Sequence, residues 1–137
     1  MPFEPLFVPP ALAAATGDGA WVQAMLDFEA ALARVQGLGE LDRPSLDPDE
    51  LARAGRSSGT PAAALVSALE EPNAHRGATS QDVMDTAAVL VAKRTLALIE
   101  DELAGVADVC ARLAAEHRDT PMAAGRFSSK RLRRLSD

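Results

Sequence analysis

The segment 75–87 carries most of the side chains in this sequence that could bind or transform a small molecule. It reads His-Arg-Gly-Ala-Thr-Ser-Gln-Asp-Val-Met-Asp-Thr-Ala and combines an imidazole, a guanidinium, hydroxyls and an amide. Gly77 lets the backbone approach a ligand closely. Ser80 is a preferred N-cap residue, and Asp82 and Asp85 suit the first turn of a helix. The pattern predicts a loop running into a helix N-terminus, where unpaired amides favour an anion such as a carboxylate.

A long helix is predicted to follow this loop. Apolar residues recur at intervals of three and four from position 80 to about 116, without a proline. Such a helix is roughly 55 Å long at 1.5 Å per residue. No other predicted helix is more than about half that length, so other subunits or further sequence must cover most of its apolar stripe. We therefore expect self-association. The stripe consists of Val89, Ala92, Leu96, Ile99, Leu103, Val106, Cys110 and Leu113.

Shorter helices precede the long one, and strand signals are almost absent. A one-face repeat from Trp21 to Val35 is followed by glycines at 37 and 39, which are expected to end that helix. Asp47-Pro48 predicts a second helix start, with Gly55 at its end. Thr60-Pro61 begins a third apolar segment over 62–69. The sequence therefore predicts an all-α fold.

Composition favours a cytoplasmic protein that binds no nucleic acid. The 137 residues are 47% hydrophobic, carry a net charge of −6 and include no N-terminal signal or long uncharged apolar run. Five of the 14 basic residues lie in the last twelve positions, whereas residues 1–125 hold nine basic and 19 acidic residues. This acidic body repels phosphate, which argues against nucleic-acid binding through the basic tail.

Other kinds of site have weaker signals. No His, Cys and carboxylate cluster has metal-binding spacing, and no phosphate loop or dinucleotide fingerprint is present, so we expect neither a metal nor a cofactor. Cys110 lies in the apolar stripe and is interpreted as a core residue. His117 lies near a helix C-terminus, where an imidazole is favoured without any function. The Thr79 to Asp82 segment could also be only an elaborate N-cap.

The sequence resembles the fumarase/aspartase superfamily, and within it the 3-carboxy-cis,cis-muconate cycloisomerase family. The first shared superfamily motif reads roughly His-x-Gly-Ala-Thr-Ser-Gln-Asp and matches residues 75–82. Residues 20–34 are similar to the opening helix of the family, and residues 117–123 to the start of its second motif. From Ala124 the chain departs, with Gly125-Arg126 one residue late. The third motif, with the proposed catalytic serine of the family, does not occur.

The resemblance implies an N-terminal helical domain over 1–79, the start of a central bundle of long helices over 80–123, and a divergent basic tail over 124–137, such as a frameshift would produce. Members assemble as homotetramers. They catalyse cofactor-free addition or elimination across a carbon-carbon double bond of a polycarboxylate, here lactonisation in the protocatechuate/β-ketoadipate pathway. The resemblance places His75, Thr79, Ser80, Gln81 and Arg126 at the substrate. The catalytic acid and base are expected outside this sequence, so we expect the chain alone to be inactive.

Two alternatives stay open. Another superfamily lyase is one, although the adenylosuccinate lyases usually have an Arg-Tyr pair near the N-terminus and this chain contains no tyrosine. A non-catalytic helical assembly module is the other.

Overall fold

The computed structural model describes residues 4–123 and 132–133. Within these residues six α-helices follow one another, with a 3₁₀ turn at Gly55–Ser57. The all-α prediction is confirmed, since the described residues are helical apart from loops and one two-residue strand pairing. The helices are α1 (Glu4–Phe7), α2 (Pro10–Thr16), α3 (Asp18–Val35), α4 (Pro48–Ala54), α5 (Ala62–Ala68) and α6 (Ser80–Glu116).

Helix α3 ends where the glycines predicted that it would. Gly37 adopts a φ of 77°, a left-handed conformation that glycine accepts without strain. Its amide donates to the Arg34 carbonyl over 3.1 Å, and the Leu38 amide donates to the Ala33 carbonyl over 3.0 Å. These two bonds form a Schellman motif, which satisfies carbonyls that the end of the helix would otherwise leave unpaired.

Helices α4 and α5 begin with side-chain caps of the expected kind. The Asp47 carboxylate accepts from the amide of Asp49 over 2.8 Å, and the Thr60 hydroxyl accepts from the amide of Ala62 over 3.3 Å. Gly55 follows α4 at a tight crossing, because a Cβ there would lie 2.6 Å from the Thr60 carbonyl oxygen. Any larger residue at position 55 would push the start of α5 away from α4.

The chain divides into two compact units, Met1–Leu96 and Ala97–Asp137, and the boundary lies within α6. The core of the first unit is built around α3, whose Met25 and Leu26 are buried. Leu65 of α5 joins that core, as do Val83 and Val91 of α6. The first three turns of the long helix are thus part of the same hydrophobic core as the shorter helices.

The second unit contains the rest of α6 and an antiparallel pairing of Met122–Ala123 with Leu132–Arg133. Every residue from Glu100 to Pro121 is exposed. The expectation that Cys110 is a core residue is therefore wrong for this chain, because nothing among the described residues covers its face of α6. The 37-residue length of α6 agrees with the prediction from periodicity.

Candidate functional site

The loop between α5 and α6 contains three left-handed residues, two of which lie in the predicted site segment. His75 has a φ of 62° and Gly77 a φ of 79°. Glycine adopts such a value freely, but at a histidine it has an energetic cost that the surrounding contacts must offset. One such contact comes from the end of α3, where the Gln36 side-chain amide donates to the Arg76 carbonyl over 2.6 Å. The φ of Gly77 suits glycine, and the predicted close approach of a ligand to its backbone stays a prediction.

A buried carboxylate anchors the imidazole of this loop. Nδ1 of His75 lies 2.7 Å from Oε1 of Glu29, and the Glu29 side chain is fully inaccessible. The imidazole is 20% exposed. The second oxygen of Glu29, Oε2, is buried and has no hydrogen-bond partner among the residues that the structure describes. Burying an acid is unfavourable unless it is paired, so the histidine is the contact that makes this position tolerable for Glu29.

Sequence reasoning did not identify Glu29. A signal was available, because Glu29 occupies the same face of α3 as the buried residues Met25, Leu26 and Ala33, at helical spacing. An acidic residue on an apolar helix face implies a buried partner. That partner, His75, lies 46 positions away in the chain and could not be identified from the sequence of the helix alone.

Thr79 caps the start of α6. Its hydroxyl oxygen lies 3.3 Å from the amide of Asp82, and its own amide donates to the Asp82 carboxylate over 2.7 Å. This reciprocal pair is a capping box with aspartate in the third helical position. The prediction that Ser80 is the N-cap is therefore wrong by one residue, since Ser80 is already the first residue of the helix. Thr79 is favoured over Ser80 as the cap because the Asp82 carboxylate accepts a hydrogen bond from the Thr79 amide, while the Thr79 hydroxyl accepts one from the Asp82 amide.

The cap has an electrostatic consequence for Asp82. Hydrogen bonds from the Thr79 hydroxyl and the Thr79 amide lower the pKa of the Asp82 carboxyl below its ordinary value, and attraction to the His75 imidazole adds to this effect. The hydroxyl of Thr79 donates to the same carboxylate over 2.7 Å. Asp82 thus connects the cap and the histidine electrostatically, although its side chain is exposed.

The other predicted site residues lie at the start of α6 or outside the described chain. Gln81 donates from its side-chain amide to the Asp85 carboxylate over 2.6 Å. The partly buried Ser80 side chain has no hydrogen bond within residues 4–123. Arg126 lies outside the described residues. The structure therefore places His75, Thr79, Ser80 and Gln81 within one loop and helix start.

A second polar cluster joins α3 to α6. Asp27 accepts hydrogen bonds from Arg43 and from Arg94. Partial burial raises the pKa of the Asp27 carboxyl, but the hydrogen bonds from Arg94 and Arg43 outweigh this and lower the pKa below its ordinary value. Both arginines are nearly half exposed, so this cluster is a partly solvated ion-pair network that fixes α6 against α3.

A largely apolar groove of about 510 Å³ lies elsewhere in the first unit. Trp21, Met25 and Leu51 line it together with Met84 from the second turn of α6. Among the described residues, neither His75 nor any residue from Thr79 to Gln81 contributes to its wall. The groove is therefore separate from the His75 loop.

Metal-binding clusters and membrane-spanning helices are both absent from the described residues. Residues 4–123 and 132–133 contain no group of three or more His, Cys, Asp or Glu side chains that could hold a metal ion. None of the helices in this part of the chain is long and apolar enough to cross a membrane.

Comparison with known proteins identifies relatives over most of the chain. A nitrosuccinate lyase of Streptomyces davaonensis is 43% identical over 80% of this chain and 28% of its own length. A 3-carboxy-cis,cis-muconate cycloisomerase of Pseudomonas aeruginosa is 38% identical over 88% of this chain and 31% of its own. No protein-family model matches the chain.

A solved structure has the same fold. The crystal structure of the 3-carboxy-cis,cis-muconate lactonizing enzyme of Pseudomonas putida superposes with a TM-score of 0.78 at 36% identity, covering 91% of this chain and 33% of that one. The chain thus spans about a third of the length of the relatives it matches. These matches, together with the capped loop ahead of a 37-residue helix, show that the chain belongs to the fumarase/aspartase superfamily.

Proposed function

We propose that this chain supplies the carboxylate-binding loop of a cofactor-free cycloisomerase that lactonises 3-carboxy-cis,cis-muconate. The observation that carries the proposal is the start of α6. There, Thr79 caps the Asp82 amide and leaves the amides of Ser80 and Gln81 without a backbone acceptor among the described residues. Free amides at the positive end of a long helix attract a carboxylate. The relatives named as cycloisomerases support the choice of substrate.

The chemistry fits this arrangement. In lactonisation, a carboxylate oxygen of the substrate forms a bond to a carbon of its own double bond, and the electron pair of that double bond moves to the neighbouring carbon. An adjacent carboxylate stabilises the resulting carbanion, and protonation of the carbanion completes the reaction. Negative charge therefore grows on carboxylate oxygens in the transition state. Donors aimed at those oxygens, such as the hydroxyl of Ser80 and the amides of α6, would lower the barrier.

A second candidate function is elimination from nitrosuccinate. The Streptomyces davaonensis relative with this name is 43% identical to the chain, compared with 38% for the Pseudomonas aeruginosa cycloisomerase. Nitrosuccinate, with two carboxylates, is a polycarboxylate like 3-carboxy-cis,cis-muconate, so the same helix start could bind it. The two functions would then differ in residues that surround the nitro group or the diene and not in the carboxylate-binding loop.

A chimaera would test the proposal. Residues 1–123 would replace the matching segment of the Pseudomonas putida enzyme, and the product would be assayed with both substrates. We expect lactonisation of 3-carboxy-cis,cis-muconate at a rate well above the uncatalysed reaction. Turnover of nitrosuccinate by the chimaera, with none by the parent enzyme, would show that residues 1–123 carry specificity for the second candidate substrate. A folded chimaera that is inactive towards both, beside an active parent enzyme, would contradict the proposal.

The proposal extends to the oligomeric state, the cellular location and the pathway of the enzyme. We propose a cytoplasmic homotetramer that acts in the β-ketoadipate pathway without metal or cofactor, in which long helices of other subunits cover α6. The exposed apolar residues Leu103, Val106 and Leu113 support association. We also propose that the acid and base for the reaction come from other parts of the assembled enzyme. On this proposal, the 137-residue chain has no activity alone.

A further inference from the structure

We infer that Glu29 is a positioning residue that fixes the His75 imidazole as the Nδ1–H tautomer and leaves Nε2 free to accept a proton or hydrogen bond from the substrate. The inference rests on the proposed function in assigning Nε2 to a substrate. Its other part, the tautomer, is a property of this chain that can be measured without any ligand.

Glu29 is an acid in the hydrophobic core of the first unit. It is 1% exposed, and its neighbours on α3 include the buried Leu26 and Ala33. Its carboxylate makes one hydrogen bond among the described residues, to His75, and Oε2 makes none. A methionine or leucine would fill this core position without desolvating an acid. The only interaction that an apolar residue could not reproduce is the one with the imidazole.

The imidazole of His75 is the partner of this acid. A neutral ring has one N–H donor and one acceptor nitrogen, and a carboxylate in contact with Nδ1 requires the proton to be on Nδ1. No described residue forms a hydrogen bond with Nε2, and the ring is 20% exposed. Nε2 is therefore the unprotonated nitrogen with access to a ligand. Carboxylates that hold histidines in this way fix both the tautomer and the ring orientation.

The backbone of His75 lies in the left-handed region. His75 is held at a φ of 62°, which is unfavourable for a residue with a side chain. The Gln36 contact to the Arg76 carbonyl and the Glu29 contact to the ring both hold the loop against α3. A histidine that served only as a turn residue would be replaced with advantage by glycine or asparagine. The presence of a histidine at position 75 is therefore explained by the oriented imidazole ring that it provides.

Nitrogen-15 NMR of the ring provides the test. The chain has two histidines, so His117→Gln leaves His75 as its single imidazole. Spectra would be recorded over a pH series that ends at about pH 9, and the tautomer would be read where the nitrogen shifts no longer change with pH. In this background we expect a protonated-type shift for Nδ1 and an unprotonated-type shift for Nε2. The opposite assignment would overturn the inference, because Glu29 would then be the donor.

Substitutions at Glu29 show whether it is the cause. Glu29→Met keeps the size of the side chain and removes the acceptor, so the two nitrogen shifts should move to the averaged values of free histidine. Glu29→Gln can still accept through its amide oxygen and should retain much of the original pattern. Glu40→Gln, an exposed position, serves as the matched control and should leave both shifts unchanged.

Unchanged shifts in a folded Glu29→Met variant would overturn the inference. Circular dichroism would establish that each variant is folded. If Glu29→Met does not fold, the single-imidazole background and the Glu29→Gln variant still decide the tautomer. A chimaera that lacks activity while its His75 shows the expected tautomer would contradict the proposed function and leave the positioning role intact.

Discussion

The hydroxyl of Thr79 donates a hydrogen bond to the carboxylate of Asp82 over 2.7 Å, so the residue proposed to bind substrate also closes the start of α6. The two roles draw on the same hydroxyl proton. A substrate carboxylate that accepts from Thr79 must replace Asp82 as the acceptor. No acceptor in the described part of the chain competes for the backbone amides of Ser80 and Gln81.

Replacing Thr79 should affect both stability and activity. Thr79→Val removes a helix cap and should lower the free energy of unfolding of the chain by about 1 kcal/mol. If the hydroxyl also binds substrate, kcat/KM of the chimaera should fall about tenfold to hundredfold, which corresponds to roughly 1.5–3 kcal/mol for a bond to a charged acceptor. Thr79→Ser retains the hydroxyl and is the control. A loss of stability with unchanged kcat/KM would mean that Thr79 is only a cap.

Ser80→Ala should lower kcat/KM while leaving the free energy of unfolding nearly unchanged. Ser80 is the first residue of α6 and its side chain makes no hydrogen bond within the described chain, so its removal should change the free energy of unfolding by less than about 0.5 kcal/mol. A fall in kcat/KM of tenfold or more in the chimaera would then report lost substrate binding directly. Chemical denaturation and steady-state kinetics measure the two quantities. A clear loss of stability would show that Ser80 supports the helix start.

Asp27 should contribute stability that acid removes. The pKa of its carboxyl is lowered in the folded chain below the ordinary value of 3.8, so its stabilisation is present above that value and is lost as the pH falls through the lower, folded pKa. Asp27→Asn should cost about 1 kcal/mol at neutral pH, a figure discounted for the exposure of both arginine partners. It should also flatten the decline of stability below about pH 4.

Urea unfolding at several pH values measures this effect of Asp27. Asp42→Asn, at an exposed position that lies in the same connection as Arg43, is the matched control. Equal acid sensitivity in wild type and in the Asp27 variant would show that the ion-pair network contributes nothing.

The chain should self-associate through α6. Leu96, Leu103 and Val106 are each more than half exposed, and a row of large apolar side chains at helical spacing is an association surface. Sedimentation velocity should show an average mass that rises with concentration. Leu103→Asp combined with Val106→Asp should shift the chain towards monomer, whereas Val35→Asp, at a still more exposed position on α3, should not. A monomer at all concentrations would contradict this prediction.

Local signals predicted the helices well. The cap at Asp47, the glycine at Gly37 and the start of α6 at Ser80 all depend on interactions within about five residues, which sequence patterns report directly. The short helices α1 and α2 were not predicted, since four and seven residues carry too little periodicity to distinguish them from a loop. The domain boundaries at 79 and 123 stay predictions.

The site could be predicted only in part. The motif indicated His75 and the Thr79 to Gln81 segment because their types and spacing are local. It could not indicate Glu29, whose importance depends on a loop that returns to α3 after 46 residues. It also placed the cap on Ser80, because both Thr79 and Ser80 are good N-cap residues and the choice depends on which hydroxyl Asp82 can reach.

Helix α6 is continuous in geometry but should be uneven in its resistance to hydrogen exchange. Its amides from about Val83 to Val91 lie over a packed core, and their exchange should require unfolding of the whole first unit. Beyond Glu100 every side chain of the helix is exposed, and those amides should exchange through local fraying. The protected end carries the proposed binding loop, so that loop should keep its geometry even while the distal turns open and close.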